Sequence, residues 1–527
     1  MENRTFHAFK HHTAMHLSRA IRALRALLCA TLCLPFALPP AWAQLPSLGD
    51  GADMTAGEER RLGDRIIREL YRDPDFVDDP VLVEYLQGIW DELLAAARSR
   101  GELNAELDER FAWRILLGRD RSVNAFALPG GYMGVLCGLI AVVGSRDELA
   151  SVLAHEMSHV TQRHISRLMA QQSRTSPLFL AGMVLGALAA SKSPQAANAM
   201  VTGSVALQAQ TQLNFSRSME READRVGYLV MTQAGFDGRG FAGMFEKLQQ
   251  ASGFNDSGGY PYLRSHPLTS ERIADMRSRQ PLEGGNGPRI PVGSLEDAIM
   301  SARARFVSRP GADALRGWAA EPGLPGFDSL PFKRRAASLY NAALASASRR
   351  EMPAARVQVA RLAALVMDDP KGVRLARLLA AEVEIAGGSG NLAVAALGSL
   401  PSAGSAIGRP ELMLLAQASQ HGAVVPGLAD RLQSWLAVKP QDGGVWQALA
   451  AVYRQENQPL RALRAEAEVQ ASHMDWAGAV DRYKAGQEWM RRNRGTGADY
   501  MEVSIIDTRL REAESRLRED AAERRLD

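Results

Sequence analysis

The amino-acid sequence predicts a mainly α-helical protein, with a small β-sheet in its first half and a helical repeat array in its second. Apolar residues recur at helical spacing over residues 58–72 and 80–98, which predicts two helices. Short apolar runs on either side of the turn sequence PGG at 129–131 predict two paired strands. After a Gly/Pro-rich stretch at 281–294, Ala- and Leu-rich runs alternate with short turns, which is typical of stacked helix pairs.

The first 43 residues have the pattern of a cleavable export signal. Three arginines between 19 and 25 precede an apolar run over 26–38, and the small-residue site AWA follows. We expect cleavage after Ala43. Pro35 interrupts the apolar run, which is shorter than the roughly 20 residues of a membrane span, so a retained anchor is the weaker alternative. For a Gram-negative source, export without an anchor or lipid indicates the periplasm.

Removing this segment changes the charge and the cysteine count. The whole chain of 527 residues has a formal net charge of +3. Residues 1–43 carry five basic side chains and one glutamate, so the remainder is near −1, which argues against nucleic-acid binding. Cys29 and Cys33 also leave, and Cys137 remains alone. One cysteine excludes an internal disulfide and a zinc site built from thiolates.

A helix is predicted to begin at Ser145, because Ser145 and Glu148 have the spacing of a capping box. Its apolar residues share one face, as in an amphipathic helix. The stretch LAHEMSHVTQRH at 153–164 lies in this helix and holds three of the six histidines that follow residue 43.

Two of these histidines have the spacing of a zinc site. Residues four apart project from the same side of a helix, so His155 and His159 can bind one Zn²⁺. Glu156 lies on the neighbouring flank, where its carboxylate reaches a water on the metal without binding the metal itself. His164 lies about 140–180° further round the helix, and we expect a surface or supporting residue. The alternative is a helix with two surface histidines.

A catalytic zinc site needs a third protein ligand and keeps a fourth position open. We expect Glu220 to be that ligand. Asp224 shares its helical face, one turn on, where it can accept the free N–H of a ligating histidine and so support catalysis. Ala223 and Gly227 let another helix approach closely, whereas Glu222 points roughly 200° away from Glu220. The alternative is a surface helix with ion pairs.

His266 is the one other histidine of the first half, and it stands before Pro267 and a predicted helix start. Three interpretations remain open. His266 donates a hydrogen bond to the transition-state oxyanion, or it occupies the open zinc position and keeps an enzyme latent, or it is a surface histidine.

Residues 178–206 contain the run LFLAGMVLGALAA, whose thirteen residues fall short of the roughly twenty that a membrane span needs. We expect a helical hairpin packed beside the site. Peripheral contact with a membrane or partner, or a mobile lid over the site, are the alternatives.

The second half resembles tetratricopeptide repeats. The positions of Trp446, Leu449, Ala450, Tyr453 and Ala462 match one such repeat, and the upstream repeats are degenerate. Such arrays form curved surfaces that bind protein segments, and a plain helical bundle is the alternative. The predicted organisation is therefore an export signal, a metallopeptidase domain, a linker and a TPR-like helical repeat domain, at 1–43, 44–285, 286–294 and 295–527.

Three motifs, in the order NAFALPGGY, LAHEMSHVTQRH and EREADRVG, resemble the zinc metallopeptidase family that includes HtpX and the CAAX prenyl proteases. The resemblance covers roughly residues 56–280, and it extends to exported members with a long helical second half. It implies one Zn²⁺ per chain bound by His155, His159 and Glu220, and a catalytic role for Glu156. It also favours a site role for His266 and implies outer-membrane β-barrel proteins as substrates.

Two functions follow. The first is a periplasmic zinc endopeptidase that hydrolyses unfolded or misassembled proteins, with repeats that recruit clients or the outer-membrane insertion machinery. The strand GGYMGV at 130–135 would pair with the extended substrate. The second is a chaperone-like assembly scaffold with a latent or structural zinc site. Glu156 favours the first, since a purely structural site needs no general base.

Overall fold

The computed structural model describes six stretches of the chain, at 54–171, 216–252, 260–279, 293–398, 407–493 and 500–526. The predicted export signal, the predicted hairpin at 178–206 and nearly all of the Gly/Pro-rich stretch lie outside the described residues. None of the helices within these stretches has the length and apolar character that crossing a membrane requires.

Helices dominate the described residues beside one small sheet, which confirms the predicted fold class. The first half contains helices α1 (Ala56–Arg72), α2 (Pro80–Arg100), α3 (Ala105–Arg110), α4 (Cys137–Val142), α5 (Arg146–Thr161), α6 (His164–Gln171), α7 (Arg217–Gln233), α8 (Arg239–Ser252), α9 (Tyr262–Ser265) and α10 (Ser270–Ser278). The strands are β1 (Arg114–Gly118), β2 (Ala125–Leu128) and β3 (Tyr132–Leu136).

The second half consists of helices that pack mainly against their neighbours in sequence. They are α11 (Leu295–Val307), α12 (Ala312–Ala320), α13 (Phe332–Ser348), α14 (Met352–Leu365), α15 (Pro370–Ala386), α16 (Gly390–Leu397), α17 (Arg409–Gln420), α18 (Leu428–Val438), α19 (Gly443–Gln455), α20 (Pro459–Ser472), α21 (Trp476–Arg492) and α22 (Tyr500–Leu526).

The sheet has the strand order β1-β3-β2, with β3 parallel to β1 and antiparallel to β2. The predicted turn joins β2 to β3, and it needs glycine because Gly130 and Gly131 have φ angles of 74° and 82°. Both edges of β3 are therefore occupied. The prediction that a substrate pairs with the strand at 130–135 is wrong, because the outer edges of the sheet belong to β1 and β2.

Helix α5 carries the two histidines of the predicted zinc site. It begins at Ser145 as predicted, and Ser145 Oγ accepts a hydrogen bond from the Glu148 N–H at 3.2 Å. The Glu148 carboxylate does not close a capping box, since it accepts instead from the Gly144 N–H at 2.6 Å. Residues 148–161 are all buried, so the predicted amphipathic character is wrong. Strand β2 and helices α7 and α8 enclose α5.

The close approach of α7 to α5 is confirmed at Gly227. A Cβ atom on Gly227 would lie 3.0 Å from the carbonyl carbon and oxygen of Ala154 and from the His155 nitrogen. A larger residue would push the helices apart, so this glycine fixes the distance between the two histidines and the acidic residues of α7.

Ion pairs join the second half to the beginning of α2, and the described residues of both halves form one compact unit. The pairs are Arg303–Asp79 at 2.7 Å, Arg374–Glu84 at 2.6 Å and Arg409–Asp78 at 2.6 Å. At the far end, Asp520 of α22 pairs with Arg68 of α1. The last helix of the second half is thus connected to the first helix of the chain.

Candidate metal centre

The three side chains that were predicted from the sequence to be metal ligands lie together in the interior. His155 and His159 direct their Nε2 atoms to within 3.0 Å of each other. Near the start of α7, Glu220 places Oε2 3.5 Å from His155 Nε2 and Oε1 3.4 Å from His159 Nε2. All three residues are at most 2% exposed. The shared helical faces used in the sequence argument therefore bring these atoms to one point.

The atoms at this point fit a divalent metal ion. One possible ligand atom from each of His155, His159, Glu220 and His266 lies within 4.8 Å of the others. Two imidazole nitrogens that face each other need a cation or a proton between their lone pairs. With a carboxylate oxygen beside them, they form the His/His/Glu set that catalytic zinc sites use.

Asp224 lies behind His155, at 2.9 Å from its Nδ1 atom. Burial disfavours a charged imidazole, but the hydrogen bonds to Asp224 and Glu220 outweigh burial and raise the pKa of His155 to about 9. Because Asp224 holds the proton on Nδ1, a metal ion can take the place of the proton on Nε2. The position of Asp224 suits the supporting role expected from the sequence.

Glu156 is fully buried between the sheet and His266. Its Oε2 accepts a hydrogen bond from the Ala127 N–H of β2 at 3.0 Å, and its Oε1 lies 3.3 Å from His266 Nε2. Since Ala127 belongs to an edge strand, the carboxylate lies next to the place where an extended chain would pair with the sheet.

His266 is 3% exposed, so its interpretation as a surface histidine is wrong. Its Nδ1 lies 3.1 Å from Glu220 Oε1 and 3.3 Å from His155 Nε2. The imidazole also stacks on Tyr262, with ring centroids 4.7 Å apart. This position, against both His155 and Glu220, is that of a fourth ligand.

Comparison with known proteins agrees with this geometry. Residues 86–280, which contain all of the side chains described above, match the family model described as Peptidase family M48. This part of the chain is similar to family M48 peptidases. The resemblance to zinc metallopeptidases drawn from the three motifs is thereby confirmed.

The similarity to curated proteins covers more residues than the family match does. The chain is similar to the beta-barrel assembly-enhancing proteases of Escherichia coli K12 (34% identical over 267 residues; 49% of this chain, 53% of the relative) and Yersinia pestis (33% over 278 residues; 52% and 54%). It is also similar to the mitochondrial metalloendopeptidase OMA1 of Schizosaccharomyces pombe (31% over 169 residues; 32% and 47%). The chain spans about half the length of the curated relatives it matches.

His164 is buried, so its expected surface position is wrong and the supporting role remains. Helix α5 ends at Thr161, and Arg163 adopts a left-handed φ of 53°, which turns His164 back toward the site. The Nδ1 atoms of His164 and His159 lie 2.8 Å apart, and His164 Nε2 lies 3.0 Å from Glu222. Glu222, excluded as a ligand, therefore supports His159 through His164.

Arg272 is the site residue that the sequence argument missed. It is 4% exposed, donates to both Asp224 oxygens at 2.7 and 2.8 Å, and lies 2.8 Å from Glu220 Oε2. It also donates to the Pro267 carbonyl oxygen at 2.8 Å. Although burial favours the neutral acid, the hydrogen bonds from Arg272 and His155 hold the pKa of Asp224 below its usual value. The available signal was the supporting role expected of Asp224, because a carboxylate that is buried behind a metal ligand requires a cation nearby.

Proposed function

We propose that the chain is a periplasmic zinc endopeptidase that hydrolyses peptide bonds in unfolded or misassembled proteins. The observation that carries this proposal is the buried Glu156 carboxylate, held between the edge strand β2 and a His/His/Glu cluster. A site with a purely structural metal ion has no use for a carboxylate placed in this way. The M48 match supports the same class of reaction.

His155, His159 and Glu220 would hold the ion. When bound, Zn²⁺ polarises the scissile carbonyl and lowers the pKa of a water to about 7. Glu156 takes the proton from the attacking water and delivers it to the leaving amine. Asp224 and His164 accept the Nδ1–H groups of the two ligating histidines, which keeps both Nε2 atoms unprotonated and directed at the ion.

Strand β2 is the edge on which we place the substrate. The Ala127 N–H points away from β3 and toward Glu156, so an extended chain that pairs with β2 passes the carboxylate. Pairing of this kind selects unfolded segments, because folded proteins rarely expose an unpaired strand.

His266 gives the site a closed state. In this conformation the imidazole lies against His155 and Glu220, where a substrate carbonyl and water must enter. We therefore favour latency over oxyanion binding as the role of His266, and opening requires its loop to move away. The loop is held by the Arg272 hydrogen bond to Pro267.

The clients that we propose are outer-membrane β-barrel proteins, in line with the names of the bacterial relatives. The second half would recruit them or their insertion machinery through TPR-like repeats. In support, α19 and α20 pack as a pair and bury Ala450, Tyr453 and Ala462, three of the repeat-matching residues. The domain boundaries given above are part of this proposal. For residues 178–206 the expectation stays a helical hairpin beside the site, with peripheral membrane contact as an alternative.

The test compares the chain from Gln44 with its Glu156→Gln variant, measuring bound zinc and hydrolysis of casein. We expect about one zinc per chain in both and hydrolysis only by the unsubstituted protein. Zinc in both without hydrolysis, even after His266→Ala, would favour the alternative function of an assembly scaffold. Lack of zinc in both would overturn the site itself.

A further inference from the structure

The outer edge of β1 lies on the opposite side of the sheet from β2 and the metal centre. In β1, the Arg114 N–H donates to the carbonyl oxygen of Gly131, the residue directly before β3, at 3.0 Å. The Leu117 carbonyl, on the outer side, accepts from the Val77 N–H at 2.9 Å. Successive residues of a strand alternate between these two directions. Ile115 therefore directs both its N–H and its C=O outward, like Leu117.

An extended segment of the chain already pairs with one end of this edge. Phe76 forms an antiparallel bridge with Gly118, after which the segment leaves the sheet and enters α2 at Pro80. Within the described residues, no hydrogen bond reaches the main chain of Ile115. The edge thus accepts an antiparallel strand, and this strand stops before Ile115.

A cavity of about 780 Å³ opens onto the remaining part of the edge. One wall consists of β1 and a face of α2, and the other is the turn between α18 and α19. Ile115 and Val83 line the first wall, and Val438, which is 75% exposed, lines the second. The cavity therefore combines main-chain hydrogen-bonding groups with apolar contacts on both sides.

The charges of this cavity suit a neutral backbone. Arg409 is engaged by Asp78 at 2.6 Å and by Asp442 at 2.7 Å. The remaining charged side chains of the lining are two carboxylates and two cations, which are Glu84, Asp91, Arg114 and Lys439. A polyanion would gain nothing here, and a helix has already used its own backbone groups. An extended polypeptide satisfies the edge and meets a formal lining charge of only −1, from four carboxylates and three cations.

We propose that this groove binds an extended segment of a client polypeptide, which adds to the outer edge of β1 as a strand. The identity of the occupant rests on the proposed function, because a peptidase acting on unfolded proteins encounters such segments. Neighbouring strands are about 4.8 Å apart, so the β1 and β2 edges are separated by roughly 10 Å. One long client can occupy both edges, with β1 holding it and β2 presenting it to Glu156.

The experiment uses the full chain with Glu156→Gln, so that binding is measured without hydrolysis and a failure of the proposed chemistry does not affect the result. The probe is fluorescein-labelled β-casein, followed by anisotropy. Ile115→Pro removes the outward N–H and leaves the β1–β3 ladder intact, because Arg114 and Leu116 face β3. We expect the Kd to rise about tenfold, and Ile115→Val, which keeps the N–H, to leave it unchanged.

Val438→Asp is the second variant, because its exposed position on the far wall makes it compatible with folding if Ile115→Pro is not. We expect it also to weaken casein binding. Unchanged affinity in a folded Ile115→Pro protein, or in Val438→Asp where the proline variant does not fold, would overturn the proposal. Self-association that Val438→Asp abolishes while casein binding persists would assign the groove to a second copy of the chain, and would equally overturn it.

Discussion

Arg272 and Asp224 form a two-point ion pair directly behind the metal centre, with Nε–Oδ2 and Nη2–Oδ1 distances of 2.7 and 2.8 Å. The same guanidinium contacts Glu220 and the carbonyl oxygen of Pro267, next to His266. One side chain therefore connects a proposed ligand, the residue that orients another ligand, and the loop that closes the site.

Arg272→Lys is expected to lower zinc affinity by about 10- to 100-fold, because an ammonium group cannot hold Asp224 at two points while it reaches Glu220 and Pro267. Competition with a chromogenic chelator measures this. Arg221→Lys, on the exposed side of α7, is the matched control and should leave affinity unchanged. Equal affinities in the two variants would show that Arg272 does not position the ligands.

His266→Ala is expected to keep bound zinc and to raise kcat for casein by roughly tenfold, the effect of removing a closed-state preference of about 1.4 kcal/mol. His421→Ala, at an exposed histidine, serves as the control. Lower activity with zinc retained would instead assign His266 to transition-state stabilisation.

His164→Gln is expected to reduce zinc affinity by about tenfold, since it disturbs the acceptor for the Nδ1–H of His159. Glu222→Gln should have a smaller effect, because Glu222 is partly exposed and acts through His164. Titration of each variant against the same chelator gives both values, and a larger loss in Glu222→Gln would contradict this order.

Glu59 makes the stability of the folded protein depend on pH, independently of the metal centre. It is 1% exposed, and burial raises its pKa from 4.5 to about 7 despite the attraction of Arg163. The folded state thus holds this proton more tightly than the unfolded state. The contribution to stability is complete below pH 4.5 and is lost as the pH rises through 7.

Relative to Glu59→Gln, the free energy of unfolding should therefore fall by on the order of 3 kcal/mol between pH 4.5 and pH 8. Urea unfolding at several pH values measures the difference. Relative to Glu58→Gln, the free energy of unfolding of the unsubstituted protein should instead rise with pH, because hydrogen bonds with Thr55 lower the pKa of Glu58. Parallel curves for the unsubstituted protein and Glu59→Gln would contradict the prediction.

Helical periodicity was sufficient to predict which site residues lie side by side, where those residues belong to the same regular helix. His155 and His159 on α5, and Glu220 and Asp224 on α7, needed only the repeat of 3.6 residues per turn. Periodicity misplaced His164, because Arg163 breaks the helix with a left-handed φ that no local pattern indicated. The edge strand could not be recognised either, since the order of strands in a sheet depends on contacts that the sequence does not state, and substrate pairing was therefore expected at β3.

Arg272 was missed for a related reason. Its partner Asp224 is 48 residues away in the sequence, and only the packing of α10 against α7 brings them together. Sequence spacing can show that a buried carboxylate needs a cation, but it does not say which of many arginines supplies it. The groove at β1 likewise depends on long-range packing, since its two walls come from opposite halves of the chain.

The contacts between the halves also have a mechanical consequence. Three arginines hold the second half near its beginning and middle, and the Arg68–Asp520 pair holds its last helix. Together these contacts fix the second half to the first at its beginning, its middle and its last helix. A helix added to or deleted from the second half would shift these arginines or Asp520 away from their partners and break at least one ion pair. The number of helices is therefore constrained by the positions of the partner residues on α1 and at the start of α2.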